Sequence, residues 1–190
     1  VKYEGKGPFR WGNLSAEEMV HRFWNGTVAG TYVGHGDYFF TVREDTWTSF
    51  GGRMSGQSAP RLAFLPKVLR ESPPQGMDPI DRWQEPRIGG RPGHYYLVYF
   101  GRETPDAWPF GLYRDGLSDG MEFKVEILDT WNMTITPVEG VFVTKKKDRY
   151  QFSDRDGRAV ELPDKPYQAL RIRHVGGVEP QSVVKPPVEP

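Results

Sequence analysis

The sequence predicts an α+β fold, in which a short α/β segment precedes an antiparallel β domain read as a sandwich, and three observations carry that reading. Ser15-Ala16-Glu17-Glu18 is a capping box that opens an amphipathic helix. Residues 72–93 then concentrate proline and glycine, the composition of a boundary or of an extended crossing between two units. Beyond them Met121, Phe123, Val125 and Ile127 alternate with Glu122, Lys124 and Glu126, the period of a half-buried strand.

In the helical part, Met19, Val20, Phe23 and Trp24 share one face, and Asn25-Gly26 supplies a stop. His21 and Arg22 lie on the opposite side and are expected to face solvent. Gly30-Thr31-Tyr32-Val33-Gly34-His35-Gly36-Asp37 follows. It reads either as a strand, Thr31 to Val33, with His35 and Asp37 on its exposed rim, or as a glycine-marked turn in a loop. Tyr38-Phe39-Phe40 opens an aromatic loop that runs to Trp47, and Gly51-Gly52 and Gly56 keep the next segment free, as around a binding cleft or in a linker. Ser58 caps a second helix through Leu62, Phe64, Leu65, Val68 and Leu69, which Pro66 should kink or restart.

From His94 onward the pattern is β. Tyr95–Phe100, Met121–Ile127, Met133–Thr136, Val141–Thr144, Arg149–Phe152, Arg158–Leu162 and Tyr167–Arg173 form a series of short strands. Pro137 with Glu139-Gly140, Asp154 to Gly157, and Pro163-Asp164-Lys165-Pro166 separate several of them with turn chemistry. Such spacing suits an antiparallel sandwich or barrel. Residues from Val175 onward lack periodicity and read as a frayed tail.

Composition narrows the function classes. Lys and Arg number 25, as do Asp and Glu, so no bulk charge draws the chain to nucleic acid or to an anionic membrane, and a ligand must be recognised locally. The 190 residues contain no cysteine, which excludes disulfides, thiolate metal sites and a cysteine nucleophile. No apolar run nears the roughly 20 residues of a membrane span. The chain opens at Val1 rather than methionine, which leaves room for a natural beginning further upstream. Aromatic residues reach 14%, with 6 Trp; Trp108, Trp131 and Tyr167 are either core or planes on which a sugar ring can stack. His21, His35, Asp37 and His94 are scattered without the spacing of a metal motif, and neither a phosphate-binding glycine loop nor a serine elbow is present. No cofactor is expected.

Several segments together resemble a known family. Tyr3-Glu4-Gly5, Trp11-Gly12-Asn13, Arg22-Phe23-Trp24 and Gly30 to Gly36 resemble the last part of a (β/α)8-barrel glycoside hydrolase, and Trp47, Gly51-Gly52, Gly56-Gln57-Ser58 and Arg61 to Leu65 look like its final loop and helix. Asp129-Thr130-Trp131-Asn132-Met133-Thr134 and Leu162-Pro163 with Lys165-Pro166-Tyr167 are similar to its C-terminal β domain of unknown function. The resemblance implies that residues 1–72 are a TIM-type barrel remnant, 73–93 a connector, 94–175 a β-sandwich accessory domain and 176–190 a tail. It also implies a carbohydrate partner, a missing N-terminal barrel portion in cis, and two catalytic carboxylates upstream of Val1. Glu4 then stands beside the site as the one catalytic candidate, and His35, Asp37, Tyr38 and Trp47 bind substrate. The family carries glutamate where Asp37 stands, tryptophan at Thr48 and a basic residue at Pro66.

Overall fold

The computed structural model describes residues 3–4, 13–34, 57–74, 76–81 and 86–180. Strands β1 (Tyr3–Glu4) and β2 (Asn13–Leu14) form a two-residue parallel pair. Helix α1 (Ala16–Val28) starts as its capping box dictates, with Ser15 Oγ accepting from the Glu18 N–H at 3.1 Å. Asn25-Gly26 does not stop it. Gly26 is needed instead for close approach: the Thr31 N–H and hydroxyl both donate to its carbonyl, and a Cβ there would lie 2.4 Å from Val33 Cγ2. The segment 31–33 is accordingly tied to the helix and joins no ladder. Helix α2 (Ser58–Leu69) runs through Pro66 without a restart; Ser58 is its first residue and not its cap.

The remaining strands are β3 (Asp78–Asp81), β4 (Arg87–Arg91), β5 (Tyr95–Tyr99), β6 (Ala107–Pro109), β7 (Gly111–Tyr113), β8 (Met121–Asp129), β9 (Thr134–Pro137), β10 (Phe142–Lys146), β11 (Gln151–Asp154), β12 (Ala159–Glu161) and β13 (Gln168–Gly177). Nine of them form one antiparallel sheet in the order β3-β4-β5-β13-β8-β10-β11-β7, with β9 on β8; β6 and β12 pair separately. The sheet curls almost to closure around one core. Ile88 on β4, near one end of the strand order, and Leu112 on β7, at the other, belong to the same apolar cluster as Tyr96, Phe123, Phe142 and Ile172.

This overturns the expected fold class. The described residues are mostly β, with two helices, and no α/β remnant of a TIM-type barrel is evident among them. Nor do the strands divide into two facing sheets of a sandwich. Two of them, β3 and β4, arise from the proline- and glycine-rich stretch read as a connector, and β13 continues beyond Arg173 across a bulge between His174 and Gly176. The physical reason lies in the helices' apolar faces. Val20, Trp24 and Val28 of α1 and Phe64, Leu65 and Val68 of α2 bury themselves on the outer face of this sheet, against Tyr95, Leu97, Tyr99, Leu128 and Ala169. Strand β5 is therefore buried on both faces, which explains its uninterrupted apolar run.

One charged network closes the same interface. Arg171, 3% exposed, donates from Nε to Glu126 Oε2 at 2.7 Å, and its Nη1 lies 2.8 Å from Glu71 Oε2, beyond the end of α2. Arg173 Nη2 joins Glu126 at 3.2 Å.

Candidate functional site

A cleft of about 270 Å³ opens where the sheet stops short of closure. Pro86 and Ile88 from the β4 side form one wall, and Trp108, Phe110, Gly111 and Tyr113 around β7 form the other. Strand pairing builds its floor. Gln151 lies opposite Tyr113, and Ser153 lies opposite Gly111 and Lys145, so these side chains share the sheet face that Phe152 and Leu112 do not use. The Lys147 N–H donates to the Gln151 carbonyl at 3.0 Å, which carries the Tyr113–Gln151 row on to Lys147. Each row thus runs across three strands from β7 to the β10–β11 hairpin.

The cleft combines an aromatic wall with polar groups. Trp108 is half-buried, edge-on to Phe110 with ring centroids 6.0 Å apart, and Tyr113 is half-buried beside it. Gly111 leaves the floor open, since a Cβ there would meet only the Pro109 carbonyl oxygen, at 3.6 Å. At the back, Asp154 accepts from Arg158 Nε at 2.9 Å and Nη2 at 3.0 Å, and from the Val143 and Arg158 backbone N–H groups. Burial alone would raise the Asp154 carboxyl; the Arg158 guanidinium and the backbone donors outweigh it and hold the group down at about 2. Arg158 also donates to the Val141 carbonyl and lies over the Phe142 ring, so its charge is spent inside the protein. Lys147 has no ion pair among the described residues and is the cleft's uncompensated cation.

Two further carboxylates are neutralised in the same way. Asp129 is 2.6 Å from Lys165 Nζ and accepts from the Asn132 and Trp131 backbone N–H groups, which overcome its burial and lower its pKa. Burial likewise opposes ionisation of Glu18, but Arg22 and Arg102 reverse it. The sequence-derived candidates are placed as follows. Glu4 pairs opposite Leu14, and His35, Asp37, Tyr38 and Trp47 lie outside the described residues. His21 is not solvent-facing: it is half-buried, its Nδ1 3.2 Å from the Tyr99 hydroxyl and its ring tilted against Tyr99 and Tyr167. The face of Trp131 is covered by the Arg61 guanidinium, 3.8 Å from the ring centroid, so it is a clamp between α2 and the β8–β9 turn. Trp108 is the one of the three proposed platforms that lines the cleft. Among the described residues no group of three or more His, Asp or Glu could hold a metal ion.

Sequence reading missed the rest of the cleft. Tyr113, Gly111, Gln151, Ser153 and Lys147 meet through a β7–β11–β10 register that local pattern does not encode; the only local trace is the alternation of Gln151 and Ser153 with Phe152 and Asp154.

Comparison with known proteins adds two findings. Residues 83–173 match the model of a domain of unknown function, DUF5605. The whole fold is similar to the 1.80 Å crystal structure of a "putative glycoside hydrolase" from Bacteroides vulgatus ATCC 8482, with a TM-score of 0.80 and 34% identity over 92% of this chain. The chain spans 35% of the length of that protein. No curated protein matches it.

Proposed function

We propose that this chain serves as a non-catalytic accessory β domain of a carbohydrate-active glycoside hydrolase. The observation that carries the reading is its likeness, over nearly all its length, to about a third of a protein described in those terms. Among the described residues, the carboxylates whose pKa is clearly shifted support the non-catalytic part. A retaining or inverting glycosidase needs one acid whose pKa is raised, so that it can give a proton to the leaving oxygen. Asp129, Asp154 and Glu18 are all shifted the other way by cationic partners, the pattern of structural ion pairs. In this reading His35, Asp37, Tyr38 and Trp47 contribute to a substrate cleft and Glu4 stands near it without reacting.

The test is an assay of the purified chain on a panel of aryl glycosides. No turnover above buffer is expected. Turnover that Glu4→Gln or Asp154→Asn abolishes would overturn the non-catalytic reading, because the chain would then carry its own reacting carboxylate.

A further inference from the structure

We infer that the cleft between β4 and β7 is a sugar-binding subsite that takes one unit of an oligosaccharide and favours a unit bearing a carboxylate. This deepens the accessory-domain reading and rests on it for the ligand class. The geometry supplies the three things a sugar ring needs. Its apolar face requires an aromatic plane, which Trp108 and Tyr113 offer on one wall. Its hydroxyls require short, fixed donors and acceptors, and the cross-strand rows present Gln151 and Ser153 on the floor. It also requires room close to the sheet, which Gly111 provides. At about 270 Å³ the cleft falls just below the roughly 300–1,000 Å³ of sites that enclose drug-sized ligands, a scale suited to one unit of a longer chain.

The charge preference follows from the same lining. Arg158 and Asp154 cancel each other, which leaves the Lys147 ammonium as the cleft's net charge. Lys145 continues the Ser153 row, so β10 adds positive potential on the same side of a chain that is neutral overall. A carboxylate on the bound unit would reach this edge, whereas a phosphate-binding glycine loop is missing from the sequence.

The experiment uses the full chain and a matched pair of probes, a xylo-oligosaccharide and the same oligosaccharide carrying a glucuronate branch, after a glycan array has shown which neutral and acidic glycans are retained. Titration followed by amide chemical shifts should move Gly111, Tyr113, Gln151 and Ser153 together, with the glucuronate-bearing probe bound more tightly. Gly111→Leu, which fills the cleft from a position with ordinary backbone and open space, should weaken binding by about tenfold or more with the melting temperature unchanged. Tyr113→Ala should weaken both probes, and Lys147→Gln should reduce the acidic probe to the level of its neutral partner. Binding that Gly111→Leu and Tyr113→Ala leave intact would overturn the subsite while leaving the accessory-domain reading standing. Equal affinity for the two probes would overturn the charge preference. Retention of no glycan at all, or of an extended peptide in the cleft instead, would overturn the proposal as a whole; the aryl-glycoside assay would still decide the non-catalytic reading separately.

Discussion

Gly89 on β4 lies directly against Val28 at the C-terminal turn of α1, so close that a Cβ on Gly89 would sit 2.3 Å from the Val28 carbonyl oxygen. The neighbour is backbone and cannot swing aside. This contact sets the height at which α1 rides on the sheet, and with it the depth to which Trp24 enters between Phe64 and Tyr99.

Gly89→Ala should therefore lift the end of α1 and destabilise the fold by on the order of 1–3 kcal/mol, the usual cost of overpacking. Gly111→Ala, where the added methyl meets only the Pro109 oxygen at 3.6 Å, should stay within about 0.5 kcal/mol of the parent. Urea denaturation of both variants checks this. Equal effects at the two positions would mean that the α1–β4 contact is slack.

The Asp154–Arg158 pair predicts an acid-sensitive window. The folded carboxyl sits at about 2, below its ordinary 3.8, so its ionised form contributes stability that is fully present above the ordinary value and is lost as the pH falls through about 2. Asp154→Asn should cost about 2 kcal/mol near neutrality. Its deficit against the parent should shrink as the pH is lowered from 5 to 2. Denaturation curves that remain parallel over that range would show that the pair is not linked to folding.

How far the sequence reveals this molecule depends on whether the cause of a feature is local. The alternation of Met121 to Ile127 marks β8 because each residue's face is set by its immediate neighbours, and Ser15 marks the start of α1 for the same reason. Gly89 reads as part of a linker because its need for glycine comes from Val28, which is distant in the chain. Apolar faces on α1 and α2 are visible in the sequence, but not that an antiparallel sheet covers them; an α/β repeat is the more familiar way to bury such helices, and it is not what forms. The cleft is hidden in the same sense. Trp108 is conspicuous as a residue, but Tyr113 and Gln151 become partners only when β7 pairs with β11.

Trp24 is fully buried and holds both helices to β5. Trp24→Ala should cost about 3–5 kcal/mol, and the loss should be uneven. Hydrogen exchange should rise in α1 and α2 while β8 and β13, paired along nine registered positions in the middle of the sheet, retain most of their protection. Uniform loss of protection across helices and sheet would make the two a single cooperative unit.

Arg171 and Glu126 offer the sharpest test of what seals the helices to the sheet. They are register partners on β13 and β8, with 3% and 14% of their side chains exposed, and Glu71 reaches in from beyond α2 to share the guanidinium. Glu126→Leu leaves Arg171 with only the half-exposed Glu71 as counter-charge, so it should destabilise by somewhat less than the about 3–5 kcal/mol of a buried pair broken outright. Arg171→Met should also destabilise, but by less, because Arg173 Nη2 still lies 3.2 Å from Glu126. The double variant removes both charges from an apolar setting of Tyr95 and the α2 end, and it should recover a large part of either loss. Glu71→Gln, at a side chain 46% exposed, should cost under about 1 kcal/mol. A urea double-mutant cycle measures all four. Losses that simply add in the double variant would show that Arg171 and Glu126 act independently, and that apolar packing alone holds the helices in place.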